Sequence, residues 1–274
     1  MFSRQDAERI GDVVASVART EIMPRFAGLI GNGVRTKESA FDVVSDADEA
    51  AEAAISAALL ELFPTATIIG EEATERDPGL LEGVAIADLA FLIDPIDGTK
   101  NFVSGLPLFG TMIAGLVRGE VVFGAIHDPV RRDTAFALSG GGAWLQGDNQ
   151  PEIGLRVAEP VPASEMEAVV GTNFLPEPMR SIVSRNLSRV ALNFWLRCAA
   201  HEYRMAAAGH CHLLLYNRLK PWDHAAGWLL HKEAGGYSAH FDGTSYRAAH
   251  MTGGLICAPD ETSWANARAA LIEP

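Results

Sequence analysis

The chain contains 274 residues, and its 22 lysines and arginines against 35 aspartates and glutamates give a formal net charge of −13. With 48% hydrophobic and 21% charged residues, the composition is that of a globular protein, which excludes a disordered or fibrous chain. The length allows one large domain or two coupled lobes. The acidic balance argues against nucleic acid as an electrostatic partner. It does not exclude a small phosphate ester, because a bound metal can invert the local field.

The cysteines and the N-terminal residues indicate the cellular compartment in which the protein is expected. Cys198, Cys211 and Cys257 are an odd number without C-x-x-C spacing, which predicts buried free thiols in a reducing compartment. The first 20 residues carry acids among their apolar residues, unlike a secretory leader, and no segment approaches the roughly 20 apolar residues of a membrane span. We therefore expect a soluble, cytoplasmic protein without a membrane partner.

The N-terminal half of the chain is predicted to begin with helices and to continue with strands. Apolar residues recur at three- and four-residue steps over the first 30 residues, which predicts an amphipathic helix that stops at Gly31-Asn32-Gly33. The elements expected after it are a helix over 46–63, buried strands over 67–70 and 89–94 that both end on acids, and hairpin strands over 109–117 and 121–127. Three glycines at 140–142 predict a plain turn, because the residues of a phosphate-binding loop do not follow them.

After Gln150 the pattern alternates between helices and strands. The predicted helices cover 177–187, 197–209, 223–234 and 261–272, and the predicted strands cover 167–171, 212–216, 236–240 and 254–258. The change in composition near Gln150 suggests an N-terminal α+β lobe over 1–150 and a C-terminal α/β lobe over 151–274, joined in one unit.

Three separated segments each place a carboxylate where regular backbone structure is expected to end. Glu71 follows Ile-Gly, Asp94 and Asp97 lie in Asp-Pro-Ile-Asp-Gly-Thr, and Asp223 follows Pro-Trp. Pro95 prevents a helix directly after Asp94, so Asp94 and Asp97 are expected to straddle a turn.

This set of acids indicates a metal site. Hard oxygen ligands without a nearby histidine or cysteine are typical of Mg²⁺ rather than zinc. Two such charges about 4 Å apart repel by about 4 kcal/mol at an effective dielectric of about 20, so several acids in one pocket need a cation. The backbone N–H groups of Gly98 and Thr99, at the start of a helical turn, are expected to bind phosphate. Each acid alone is more often a helix cap or a solvated residue, and only the combination favours the metal site.

Motifs along nearly the whole chain resemble those of the inositol monophosphatase family of Mg²⁺-dependent, lithium-sensitive phosphomonoesterases. The segments that carry the resemblance are 42–48, 70–72, 94–102, 222–227 and 233–236, which read DVVSDAD, GEE, DPIDGTKNF, WDHAAG and EAGG. The resemblance implies an α/β fold, a layered αβαβα sandwich like those of inositol monophosphatase and fructose-1,6-bisphosphatase. It also implies a homodimer.

The resemblance further implies roles for individual residues. The implied ligands of two or three Mg²⁺ ions are Glu71, Asp94, Asp97, Asp223 and the carbonyl of Ile96. Asp48 and Thr99 would orient the attacking water, Glu71 would take part in its activation, and Gly98 and Thr99 would hold the phosphate. Lys37 stands where the family often has a lysine on a mobile early loop.

The chain departs from the family pattern on the side expected to meet the substrate alcohol. Tyr216 stands where inositol-specific members carry an acid, and Arg197-Cys198-Ala199 replaces the usual Gly-Ser/Thr-Ala. Arg197 and His201 are four residues apart on a predicted helix and are expected to share a face, although surface charge explains them equally well. If Arg197 lines the pocket, it indicates a substrate with a second anionic group.

The function expected from these features is Mg²⁺-dependent hydrolysis of a phosphate monoester of a small polyol or related compound, such as inositol 1-phosphate. Histidinol phosphate, a sugar bisphosphate and a 3′-phosphonucleotide stay open as substrates. A regulatory or binding protein on the same fold stays open as a different class. No nucleic-acid partner is expected.

Overall fold

The computed structural model describes residues 2–28, 34–36, 43–148 and 150–273. The expected helix stop at Gly31-Asn32-Gly33, the first acid of the upstream motif (Asp42) and Lys37 lie outside the described residues. In the parts of the chain that are described, two large β-sheets alternate with layers of helices.

The helices confirm most of the predicted elements. They are α1 (Arg4–Val17), α2 (Met23–Gly28), α3 (Asp46–Leu62), α4 (Glu71–Arg76), α5 (Gly83–Ile86), α6 (Thr99–Val103), α7 (Met179–Asn186), α8 (Ala199–Ala207), α9 (Pro221–Glu233) and α10 (Glu261–Ile272). A π-helical turn over Ala18–Ile22 joins α1 to α2. Helix α1 begins with a capping box in which Ser3 and Asp6 each bond to the other's backbone N–H group. None of the described helices has the length and apolar character needed to cross a bilayer.

The strands form one small ribbon and two sheets. They are β1 (Val34–Thr36), β2 (Val43–Ser45), β3 (Thr67–Gly70), β4 (Ala90–Asp97), β5 (Gly110–Val117), β6 (Glu120–Asp128), β7 (Asp133–Leu138), β8 (Gly142–Gly147), β9 (Ile153–Gly154), β10 (Glu167–Val170), β11 (Leu192–Phe194), β12 (Leu213–Tyr216), β13 (Tyr237–Ala239) and β14 (Leu255–Ala258). Strands β3 to β9 form a seven-stranded sheet in sequence order, and the five-stranded sheet has the order β11-β10-β12-β14-β13.

Alternating side chains of the seven-stranded sheet enter two different cores. Phe91 and Ile93 of β4 pack with helices α1 and α3, whereas their neighbour Leu92 packs on the opposite face with α8 and α9. Helices α7 and α10 cover the far face of the five-stranded sheet. The layers are therefore helix, sheet, helix, sheet, helix, which confirms the predicted αβαβα sandwich.

The central helices α8 and α9 pack closely because of a glycine. A Cβ atom on Gly227 would lie 2.0 Å from Cδ2 of Tyr203, so a larger residue would push α9 away from α8. This contact fixes the helix whose first turn carries Asp223.

One prediction of local structure is wrong, at the Asp94 segment. Strand β4 continues through Pro95 to Asp97, so Asp94 and Asp97 lie on one irregular strand rather than on either side of a turn. Pro95 fits there because the ladder shifts register, and the Thr111 hydroxyl donates to its carbonyl at 2.8 Å. The sequence patterns also missed β11 and the short helix α4, which begins at Glu71 itself.

The division into lobes at residue 150 stays a prediction. The seven-stranded sheet ends at Gly154, and helix α9 from the C-terminal half packs on strands β5 and β6. The cysteines are buried and free, as expected.

Candidate metal centre

Two neighbouring parallel strands bring the first two acids together. Strands β3 and β4 run parallel with Gly70 opposite Ile93, so Glu71 and Asp94 each follow the paired residues at the same edge of the sheet. Asp223 reaches this edge from the helix layer between the two sheets, because it lies in the first turn of α9. Pro221 occupies the first helical position, where its missing N–H group costs nothing.

The three carboxylates form a compact cluster. Glu71, Asp94 and Asp223 each offer an oxygen atom, and these oxygens all lie within 4.8 Å of one another. Asp94 is only 2% exposed, and its Oδ1 atom has no hydrogen-bond partner among the described residues. A buried carboxylate oxygen without a partner is costly unless a cation or another donor meets it.

The electrostatics of the cluster also favour a cation. Burial raises the pKa of Asp94 well above its usual value, and the charges of Glu71 and Asp97 raise it further. Burial, together with the charge of Glu71, raises the pKa of Asp223 to about 7. A divalent cation would offset both the cost of burying these charges and their mutual repulsion, and an all-oxygen donor set suits Mg²⁺. The residues present therefore fit the metal that the family resemblance implies.

One positive side chain already contacts the cluster. The Nζ atom of Lys220 lies 2.7 Å from Oε1 of Glu71, and both side chains are less than one-fifth exposed. Burial alone would lower the pKa of Lys220, but the charges of Glu71 and Asp223 outweigh it and raise the pKa. The motif reading of this segment missed Lys220, although it lies only three residues before Asp223.

Asp97 lies beside the cluster, and its contacts tie it to helix α8. Its Oδ2 atom accepts a hydrogen bond from the backbone N–H of Ala200 at 2.6 Å and one from the thiol of Cys198 at 3.1 Å. Burial and the charge of Asp223 raise the pKa of Asp97 to about 8. Burial also raises the pKa of Cys198, which keeps this thiol protonated as a donor. The role of Asp97 as a metal ligand stays a prediction.

The expected phosphate and water site lies at the turn after β4. Gly98 has φ = 85°, a left-handed conformation that suits glycine, and a Cβ atom there would lie 2.8 Å from the carbonyl oxygen of Leu108. The Thr99 hydroxyl donates to the Ile96 carbonyl at 3.0 Å. Asp48 is buried, and its charge is among the causes that raise the pKa of Asp94. The functional roles predicted for these residues stay predictions.

Glu52, which no sequence motif indicated, holds the start of the helix that carries Glu71. The buried Glu52 accepts hydrogen bonds from the backbone N–H groups of Glu72 and Ala73, at 2.7 and 2.8 Å, at the start of α4. Gly70 leaves room for this carboxylate, since a Cβ atom there would lie 2.2 Å from Cδ of Glu52. Glu52 thus fixes the helix turn that carries Glu71.

The acids open into a cavity of about 360 Å³. The residues that line it include two that were predicted to meet the substrate, Arg197 and Tyr216. Phe174 and Trp195 also line it, with their ring centroids 6.2 Å apart, and no motif in the sequence identified them.

The prediction that Arg197 and His201 share a helix face is wrong. Helix α8 begins only at Ala199, and Arg197 has φ = 58°, so helical spacing does not relate the two residues. His201 does not line the cavity, and its Nε2 atom lies 3.1 Å from the carbonyl oxygen of Phe109.

Tyr216 contacts a buried acid, Glu202, that also lines the cavity. Its hydroxyl donates to Oε2 of Glu202 at 2.9 Å, while Oε1 of Glu202 accepts from the backbone N–H of Leu196 at 3.0 Å. Burial raises the pKa of Glu202 to about 7. An acid at this side of the cavity therefore comes from α8 rather than from position 216.

Comparison with known proteins places this chain in one family. The model of the inositol monophosphatase family matches residues 6–273. A fructose-1,6-bisphosphatase/inositol-1-monophosphatase from Thermotoga maritima is 33% identical over 217 residues, which cover 79% of this chain and 78% of the relative. A Nus factor SuhB from Pasteurella multocida is 34% identical over 227 residues, with 81% and 80% covered.

A solved structure agrees. The extragenic suppressor protein SuhB from Bartonella henselae matches with a TM-score of 0.84 and 25% identity, over 97% of this chain and 98% of its own. The chain belongs to the inositol monophosphatase family. The names of the relatives differ in kind, because one states two phosphatase activities and the name Nus factor SuhB states none.

Proposed function

We propose that this protein is a Mg²⁺-dependent phosphomonoesterase that acts on a small polyol phosphate or a related ester. The observation that carries the proposal is the convergence of Glu71, Asp94 and Asp223 on one point, with a buried Asp94 oxygen that has no partner in the described part of the chain. These acids, with Asp97 and the Ile96 carbonyl, would hold two or three ions. When bound, the ions supply Lewis acidity and neutralise the charge of the phosphoryl group.

The chain's own groups would orient the reactants. The Thr99 hydroxyl donates its hydrogen bond to the Ile96 carbonyl, so the lone pairs of the hydroxyl oxygen are available to accept a hydrogen bond from a water molecule. We assign the orientation of that water to Thr99 and Asp48, and a share in its activation to Glu71. The N–H groups of Gly98 and Thr99 would bind the phosphate oxygens. Water adds to phosphorus, the P–O ester bond breaks, and a proton lost by the water passes to the leaving oxygen, so the products are an alcohol and inorganic phosphate.

The first test is the release of phosphate from glycerol 2-phosphate and inositol 1-phosphate with Mg²⁺. The Asp94→Asn variant should lose at least about a hundredfold in kcat/KM, because it removes a charge at the centre of the cluster. Its melting temperature in EDTA should not fall, since the substitution also removes repulsion. Asp88→Asn is the matched control, because Asp88 is exposed and pairs with Arg118 at the surface. Full activity of Asp94→Asn would overturn the metal assignment.

The relatives named Nus factor SuhB favour a second candidate, a regulatory or binding protein on the same fold. The same variant separates the two candidates in cells. If the role is regulatory, a strain that carries Asp94→Asn in place of the natural gene should grow like wild type. If the role is hydrolytic, it should grow like a deletion strain.

The remaining properties are proposals that rest on family membership. They are inhibition by lithium, a homodimer and a cytoplasmic location. Inositol 1-phosphate, histidinol phosphate, a sugar bisphosphate and a 3′-phosphonucleotide stay open as substrates. The expected absence of a nucleic-acid partner stays a prediction, because some relatives are named Nus factors.

A further inference from the structure

Arg197 has a backbone conformation that its neighbours impose. Its φ of 58° lies in the left-handed region, which glycine adopts freely and a residue with a Cβ atom adopts only under strain. Arg118 and Arg132 also have positive φ, but both lie in tight turns between adjacent strands. Arg197 lies instead just before helix α8, where Cys198 is the N-cap residue.

Glu202 explains this backbone conformation. Its buried carboxylate accepts a hydrogen bond from the backbone N–H of Leu196 at 3.0 Å, and the N–H groups of Arg197 and Cys198 face it closely enough to lower its pKa, so the chain curls around it. Successive N–H groups converge in this way when a left-handed residue interrupts the chain. The curl requires the conformation at position 197, but it does not require the side chain of arginine. Glycine would make the same turn without strain.

The side chain of Arg197 therefore needs a separate reason. It is exposed, lines the cavity, and forms no ion pair or hydrogen bond with any of the described residues. Lys100 and Arg218 line the same cavity, so positive side chains accompany the metal acids around it. A guanidinium without a protein partner beside a phosphate site suits a second anion, which it can bind through two parallel N–H groups.

We propose that Arg197 is a specificity-determining residue, and that it selects phosphate esters carrying a second anionic group, a carboxylate or a second phosphate. This inference rests on the proposed phosphatase function. The strain at position 197 is then retained because only a residue with a long side chain can meet that group.

A matched pair of substrates tests the proposal. 2-Phosphoglycerate and glycerol 2-phosphate share one skeleton, and only the first carries a carboxylate. Wild type should prefer 2-phosphoglycerate in kcat/KM, and Arg197→Gln should reduce that preference by about tenfold or more, as expected for the loss of one charge-assisted contact. The pair fructose 1,6-bisphosphate and fructose 6-phosphate asks the same question for a second phosphate.

Two further variants separate charge from conformation. Arg197→Gly should also lose the preference, yet it should melt at a higher temperature because it relieves the strained backbone. Arg118→Gln is the matched control, since Arg118 has φ = 50° and pairs with Asp88 away from the cavity. It should keep the wild-type preference.

The outcomes distinguish this inference from the function on which it rests. Thermal melts with each ester measure binding without turnover. Hydrolysis with an unchanged preference in Arg197→Gln overturns the inference alone. Selective binding of the dianionic ester without hydrolysis supports the inference and overturns the phosphatase function. Neither binding nor hydrolysis of any ester overturns both.

Discussion

At the scale of single residues, Lys220 reduces the net negative charge of the metal centre. Its ammonium group contacts Glu71 at 2.7 Å and also interacts electrostatically with Asp223. A cation that binds Glu71 must displace this contact or share the carboxylate with it. Lys220 therefore stabilises the site without metal and opposes metal binding by charge repulsion.

Replacement of Lys220 should separate these two effects. Lys220→Met keeps most of the side-chain volume and removes the charge, so we expect the affinity for the first Mg²⁺ ion to rise by about tenfold. The melting temperature in EDTA should fall, because the acids lose their counter-charge. Isothermal titration calorimetry and thermal melts measure both quantities.

Lys232→Met is the control for this experiment. Lys232 is an exposed residue at the other end of α9, with its Nζ atom over the ring of Trp228. Weaker rather than tighter Mg²⁺ binding by Lys220→Met would show that Lys220 orients Glu71 instead of competing with the ion.

At the scale of elements, the start of helix α4 depends on a side chain from α3. Glu52 meets the free backbone N–H groups of α4 in the way that an N-cap residue does, although it lies about 20 residues away in the chain. Burial raises the pKa of Glu52, and the bonds from Glu72 and Ala73 offset part of that cost. The position of Glu71 thus depends on a contact between two helices.

We expect Glu52→Gln to weaken both the fold and the metal site. The variant keeps one acceptor oxygen and loses the charge, so the free energy of unfolding should fall by about 1–2 kcal/mol. The affinity for Mg²⁺ should fall by about tenfold as Glu71 loses its fixed position. Denaturant unfolding and calorimetry check these values. Glu61→Gln, at an exposed position of the same helix, should change neither.

Element boundaries were the least predictable part of the fold, and the reason is physical. The pattern before Asp94 predicts a strand that Pro95 should end, yet β4 continues because a register shift and the Thr111 hydroxyl accommodate the proline. The predicted start of α8 at Arg197 was two residues early, because the backbone N–H of Leu196 bonds to Glu202 and Arg197 takes a left-handed conformation. In both cases a specific side-chain contact overrides the local backbone preference.

At the scale of the whole molecule, the acid cluster makes stability depend on pH. Free aspartates have a pKa near 4, whereas burial and neighbouring charges raise the pKa of Asp223 to about 7 and that of Asp97 to about 8. Burial lowers the pKa of His127, His224 and His231 to about 4, so below about pH 6.5 these histidines act in the opposite direction. Between about pH 6.5 and pH 8 the two aspartates dominate, and the unfolded chain binds fewer protons than the folded one. The free energy of unfolding of the metal-free protein therefore falls as pH rises through this window.

Thermal melts at several pH values test this dependence. In EDTA, the melting temperature should fall between about pH 6.5 and pH 8, and Mg²⁺ should restore it increasingly toward high pH, because ions replace protons on the carboxylates. An excess of about a hundredfold over the dissociation constant should add about 2.7 kcal/mol. A metal-free melting temperature that rises over this range would contradict the raised pKa values.

The sequence alone determined the fold class and the acids of the centre. Glu71, Asp94 and Asp223 could be found because each lies in a motif of a few residues, and the helices and strands follow from periodicity over short windows. The family resemblance joined these separate motifs into one site.

The tertiary structure alone decided which other groups meet those acids. Lys220 and Glu71 are 149 residues apart, and Cys198 and Asp97 are 101 apart, so no local pattern could relate them. The same holds for Glu52 and Glu72, which lie 20 residues apart and meet at the start of α4. Contacts of this kind form only when the layers of the sandwich pack together, because the sequence specifies each element locally but specifies their meeting only through the folded core.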